Sequence, residues 1–104
     1  MMMIVDHGAE ATPLEVQRLL GISYDRLKGW LDLGIVVASR RTAGRHRRFT
    51  PRDQRRVRLA ARLRREGAST RQLARFVPAL HEEVERMIEV EVARRLTASV
   101  ALAR

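Results

Sequence analysis

Leu19-Leu20-Gly21-Ile22-Ser23-Tyr24 is the stretch that decides the fold. Upstream of it, Thr12-Pro13-Leu14-Glu15 has the marks of a helix start: a hydroxyl cap, a proline at the first helical position and a carboxylate at the third. The spacing predicts a helix from Pro13 to Leu20 that buries Val16, Leu19 and Leu20. Gly21 closes it, because the residue just past a helix end often needs positive φ. Ser23 then caps a second helix reaching about Leu33, with Tyr24, Leu27, Trp30 and Leu31 at helical spacing, and Gly34 ends it. Two short helices joined across Leu20-Gly21-Ile22-Ser23 have the spacing of a helix-turn-helix. A turn this tight holds the second helix across the first, so that its N-terminal half can enter a major groove. An ordinary helical hairpin shares that spacing, and the residues that follow tip the balance.

Ile35-Val36-Val37-Ala38 is short and rich in β-branched residues and reads as a strand. Arg40 to Arg45 contains Gly44 and reads as a hairpin turn, with Arg47-Arg48-Phe49 as the returning strand. The hairpin carries Arg40, Arg41, Arg45, Arg47 and Arg48. Guanidinium forks clustered in this way suit phosphate oxygens, which they bind bidentately. Thr50-Pro51-Arg52-Asp53 repeats the helix-start scheme and predicts a third helix to about Glu66, with Val57, Leu59, Ala60 and Leu63 apolar. Ser69-Thr70-Arg71-Gln72 gives the scheme again for a fourth helix, about Thr70 to Val77, burying Leu73 and Phe76 before Pro78 breaks it. Ala79 to about Ala103 has no internal Gly or Pro and reads as one long helix. The expected fold is mostly α, a winged helix-turn-helix with a small β-hairpin wing and a long C-terminal helix. Residues 1–11 are expected to be a loose tail, 12–78 the winged domain and 79–104 the terminal helix.

Charge follows the same division. The chain of 104 residues carries a net +9, and the segments 1–11, 12–78 and 79–104 hold −2, +12 and −1. Concentrating like charge in one small domain opposes its folding, and a polyanionic partner, nucleic acid above all, accounts for that cost. The plainer alternative is an arginine-rich surface that serves solubility.

From Thr12 to about residue 80 the chain resembles the MerR family of winged helix-turn-helix proteins. The matching text is Thr12-Pro13-Leu14-Glu15-Val16, Leu19-Leu20-Gly21-Ile22-Ser23, Leu27-Lys28, Trp30, Leu33-Gly34-Ile35-Val36, Arg41-Thr42, His46-Arg47-Arg48-Phe49, Leu63 and Glu66-Gly67-Ala68-Ser69. The wing is similar to that of the small BldC-type members. The resemblance implies a recognition helix carrying Ser23, Tyr24, Arg26 and Lys28. Arg26 is the first choice for a base-edge contact, since Arg fits guanine bidentately, with a phosphate contact as the alternative. On the wing Arg41 and Arg47 match the family's positions and are expected to bind phosphate. The clustered charge of the hairpin adds Arg40, Arg45 and Arg48 as candidate DNA contacts, and His46 is a further candidate expected to be chiefly a hairpin hydrogen-bonder. Trp30 falls where the family has a buried or half-buried residue. Gln17 stands in place of a small residue, Gly29 in place of a tyrosine that touches the DNA backbone, and Arg45 in place of a wing glycine. Phe49 replaces a tyrosine and reads as a core plug.

The remaining sequence argues against other classes. Zero cysteines exclude a disulfide framework, thiolate metal sites and cysteine nucleophiles. His7, His46 and His81 stand isolated from ligand partners, and His81-Glu82-Glu83 lacks the second histidine of a zinc-protease pattern. Glu82, Glu83, Glu85, Glu89 and Glu91 read as a solvated helix face, with Glu82–Arg86 and Glu91–Arg95 as favourable pairs. The expectation is no enzyme, no metal and no cofactor. No apolar run approaches the ~20 residues that span a bilayer, so the protein is expected to be cytoplasmic and nucleoid-associated, without a membrane partner. Leu80, Val84 and Met87 form a stripe expected to pack on the domain itself. Val92, Leu96 and Val100 are expected to meet a second copy, as the resemblance implies for this helix. The expected partners are double-stranded DNA and a second copy in a homodimer, with RNA polymerase as a further candidate. A sequence-preferring transcriptional regulator leads. An excisionase or nucleoid-type architectural protein and a co-chaperone-binding adaptor are the alternatives.

Overall fold

The computed structural model describes residues 9–103 and places six elements in chain order. Helices α1 (Pro13–Leu20) and α2 (Tyr24–Asp32) form the helix-turn-helix, strands β1 (Arg40–Arg41) and β2 (Arg47–Arg48) the wing, and α3 (Pro51–Arg65) and α4 (Thr70–Ala103) a helical hairpin. The architecture is that expected: mostly α, with a two-stranded antiparallel hairpin and a long C-terminal helix.

Each helix start is built as its cap residues dictate. Thr12 and Glu15 form a reciprocal capping box on α1, and Thr50 and Asp53 do the same on α3. Before α4, Ser69 and Gln72 exchange the equivalent bonds at 2.8 and 3.1 Å. Gly21 ends α1 at φ +65°, the left-handed conformation that lets the chain reverse into Ile22 and Ser23. One core unites these pieces. Val16 of α1, Leu27 and Trp30 of α2, Ile35, Val36 and Phe49 of the wing region, Val57 of α3, and Leu73 and Val77 of α4 are all buried.

Several expected details differ. Ile35–Ala38 is not a strand. The N–H groups of Ile35 and Val36 turn back to the carbonyl of Trp30, and Arg56 donates to the carbonyls of Gly34 and Ile35 at 2.9 and 2.8 Å. With those groups occupied no ladder forms, and the two side chains plug the core instead. Pairing begins only at Arg40, so the wing turn runs through residues 42–46. Leu19 and Phe76 are not core residues but are 64% and 46% exposed. The inward face of each helix is narrow and is already filled by Val16 and by Leu73 and Val77.

Pro78 does not break the helix either. It sits inside a continuous α4 of 34 residues. A proline removes one helical N–H and strains the preceding turn. Here buried contacts on both sides, Leu73 and Val77 before it and His81 and Glu85 after it, keep the helix continuous through the defect. The inward stripe beyond Val77 is therefore polar, and Leu80, Val84 and Met87, expected to cap the core, are exposed. Glu85 is buried rather than solvated, and Glu82 pairs with Arg52 rather than Arg86. Glu91 does meet Arg95, at 3.9 Å, and Arg94 more closely at 2.6 Å.

The end of the expected tail is held as well. Ala11 exchanges two backbone bonds with Phe49 at 2.8 and 2.9 Å, and Gln54 donates to the carbonyl of Ala9. Residues 1–8 of that tail lie outside the described residues.

Candidate nucleic-acid interface

The first half of α2 is presented outward by its own cap. The hydroxyl of Ser23 accepts the N–H of Arg26 at 3.1 Å, so this side chain serves the helix start. The next turn leaves Tyr24, 56% exposed, together with Arg26 and Lys28 at the surface, while Leu27 and Trp30 point into the core. Tyr24 is thus a surface residue and not part of the apolar helix face. Lys28 pairs with Asp32 one turn on, at 3.1 Å. Trp30 is fully buried among core side chains.

The wing brings four arginines into register. Arg40 lies opposite Arg48, and Arg41 opposite Arg47. Like charges directly across an antiparallel pair destabilise it. Of the wing arginines only Arg40 has a carboxylate partner among the described residues, Glu10 at 3.1 Å. Arg41 and Arg48 donate to the backbone carbonyls of Arg45 and Arg47, which orients them without neutralising them.

The turn itself is tightly specified. The N–H of Arg45 donates to the carbonyl of Thr42 at 2.8 Å, and the N–H of Thr42 to the carbonyl of His46 at 3.0 Å. Arg45 adopts φ +64° and is the single left-handed non-glycine residue among those described. A side chain pays steric strain there of about 1 kcal/mol. His46 is a hairpin hydrogen-bonder in part: its N–H donates to the hydroxyl of Thr42 at 3.2 Å. Its ring lies near Gly44, where a Cβ would approach to 3.2 Å.

Both feet of the wing stand on one carboxylate. Asp53, buried at the start of α3, accepts the N–H and the hydroxyl of Ser39, each at 2.7 Å, and the N–H of Thr50 at 3.1 Å. Sequence reasoning found Asp53 only as a helix cap. The link to Ser39 has no local signal, because it spans 14 residues.

The arginines of α3 play a different part from those of the wing. Arg52 pairs with Glu82, Arg55 with Glu85, Arg56 with backbone carbonyls and Arg62 with Glu66. Segment charge alone does not separate these structural guanidiniums from the free ones. At the end of α3, Arg64 and Arg65 share with Arg26 an open cleft of about 400 Å³ beside the helix-turn-helix turn, floored by Leu20, Ile22 and Ala61. Sequence reasoning missed this pair. The signal was the register: Ala61, Arg64 and Arg65 stand on one helix face, with Ala61 buried.

Titration shifts concentrate behind the interface. Burial pushes His81 below its ordinary value, against an opposing pull from Glu85 4.0 Å away. The fork of Arg55 holds Glu85 low, and Arg55 is raised in return. Burial lowers Arg56. Glu15 is lowered by the Thr12 N–H and hydroxyl of its capping box. Among the described residues no group of three or more His, Asp or Glu side chains is placed to hold a metal ion. No described helix is long and apolar enough to cross a membrane.

The family model described as MerR HTH family regulatory protein matches residues 12–80, about two thirds of the chain. The chain belongs to the MerR helix-turn-helix family. Within the family, one solved structure similar to it is titled as HiNmlR, a MerR family regulator lacking the sensor domain, bound to promoter DNA. The two share 21% identity and a TM-score of 0.60, over 90% of this chain and 74% of that one. At that identity the likeness speaks to the fold. No curated protein matches the chain.

Proposed function

We propose that this MerR-family chain is a transcriptional regulator that binds double-stranded DNA with sequence preference, α2 entering the major groove and the wing lying along the phosphate backbone. The observation that carries this reading is the pair of cross-strand arginine couples, Arg40–Arg48 and Arg41–Arg47, of whose four guanidiniums only that of Arg40 forms a salt bridge among the described residues, to Glu10. Such a hairpin is relieved by a polyanion and by little else. Family membership and a neighbour of the same fold titled as bound to promoter DNA support the same partner. Arg26 reads a base edge, and Tyr24, Lys28, Arg45, His46, Arg64 and Arg65 flank it as backbone contacts.

In this reading two copies act together. The second half of α4 exposes Val92, Leu96 and Val100 at 50%, 62% and 55%, a stripe left uncovered by the described residues. A second α4 packed on it holds two winged domains over two half-sites.

Binding of a duplex over a range of salt tests the proposal. Log affinity should fall with log salt by roughly 0.9 per neutralised phosphate, with about six or more phosphates for two copies. A nearly flat response overturns it.

A further inference from the structure

Helix α4 belongs to the domain for its first half and leaves it for the second. Its buried positions recur every fourth residue, Leu73, Val77, His81 and Glu85, and Glu85 is the last of them. From Arg86 to Ala103, 18 residues project beyond the core. At 1.5 Å per residue that arm is about 27 Å long.

The contact at the point of departure is not apolar. Arg55 of α3 donates through Nε and Nη2 to the two carboxylate oxygens of Glu85, at 2.6 and 2.8 Å. Apolar side chains such as Leu73 and Val77 hold helices together yet tolerate small rolls and tilts. A two-pronged, charge-assisted bond between a planar fork and a planar carboxylate is directional. Lever geometry makes this matter. A tilt of about 10° at Glu85 moves the end of the arm by roughly 5 Å, more than the 3.4 Å rise of one base pair.

We propose that the Arg55–Glu85 pair is a specificity element that fixes the direction in which α4 leaves the winged domain, and so the half-site spacing that two copies accept. The inference rests on the reading of two copies on DNA given above. Arg55 and Glu85 touch no base in it. They are positioning residues.

The test separates direction from stability. Glu85 is buried and Arg55 half-buried, and replacing both partners of such a pair by apolar residues is less disruptive than removing one, which strands the other charge. The variant of choice is therefore the double change Arg55→Met with Glu85→Leu. A duplex selected from a random pool by the unchanged chain is rebuilt with its half-site spacing altered by one and two base pairs. The unchanged chain should prefer its own spacing by about tenfold or more, and the double variant should bind all spacings within about threefold. An unaltered preference in the folded variant overturns the inference.

A second measurement needs no DNA. Because the chain has no cysteine, spin labels can be placed by Arg58→Cys and Ala98→Cys, with labelled chains diluted into unlabelled ones. The distance distribution should be narrow in the otherwise unchanged chain and clearly broader in the double variant. Equal widths overturn the positioning role, whereas failure to select any duplex overturns the DNA reading.

Discussion

Asp53 accepts both the backbone N–H and the hydroxyl of Ser39 at 2.7 Å, and so a buried carboxylate at a helix start anchors the hairpin 14 residues before it. The wing has only two paired residues on each strand. A ladder that short does not hold a hairpin by itself.

Asp53→Ala should therefore unfasten the wing as well as uncap α3. It leaves the N–H groups of Ser39 and Thr50 without their acceptor. The expected loss is about 3 kcal/mol, read from urea unfolding. A cost below about 1 kcal/mol, typical of a simple cap, would show that the wing stands without Asp53.

Arg45→Gly should separate folding from binding. Glycine takes φ +64° without steric strain but loses more entropy on folding, so stability should change by less than about 1 kcal/mol. The salt slope of DNA binding should meanwhile fall by about one per site as one guanidinium is lost. A marked stability loss with unchanged binding would invert this picture.

Arg47→Ala should weaken binding to all duplexes alike and lower the salt slope. Arg26→Ala should instead relax preference at one base position, by about 1–3 kcal/mol. Competition between matched and single-substitution duplexes measures the difference. Equal, sequence-blind losses from both changes would make Arg26 a phosphate contact.

A chain ended after Glu89 should still fold, because the inward stripe of α4 is complete at Glu85. Lacking Val92, Leu96 and Val100, it should sediment as a monomer and keep weak, salt-sensitive DNA binding. Undiminished affinity for two half-sites would point to copies that line up along DNA without a helical clamp.

Acid should destabilise the domain through His81. Its folded value is depressed by burial, so the unfolded chain takes up the proton more readily. The stability it contributes is complete above its ordinary value of about 6.5 and is lost as pH falls through that value toward the folded one. Glu85 and Glu15, also lowered, act in the same direction but only around and below about 4.5. Between pH 7 and 5 the slope of urea stability should accordingly disappear in His81→Gln. An unchanged slope would assign it elsewhere.

What the sequence made legible was what acts locally. Caps at Thr12, Thr50 and Ser69, the reversal at Gly21 and the alternation of Leu27 and Trp30 with exposed neighbours are all written within four residues of where they act. The candidate contacts on α2 came from the family resemblance instead, and the structure leaves Tyr24, Arg26 and Lys28 exposed there. Ile35 and Val36 misled because β-branched residues suit a strand and a buried plug equally, and what decides is the bonding of their backbone to the Trp30 carbonyl and to Arg56, some 20 residues away. Glu85 misled for the same reason: a glutamate among glutamates reads as solvated until Arg55 is placed against it.

Pro78 carries a consequence for the order of events in folding. In an isolated peptide a mid-helix proline costs about 3 kcal/mol, and the eight residues from Thr70 to Val77 are too few to nucleate a stable helix in water. Beyond it, Ala79–Ala103 is long enough, and rich enough in Glu–Arg neighbours, to form nascent helix in the unfolded chain. The two parts then fuse only when Leu73 and Val77 condense onto α3. The joint at Pro78, not the arm beyond it, is thus expected to be the last part of α4 to stiffen, so that collisions between nascent chains meet a jointed rod rather than a finished one.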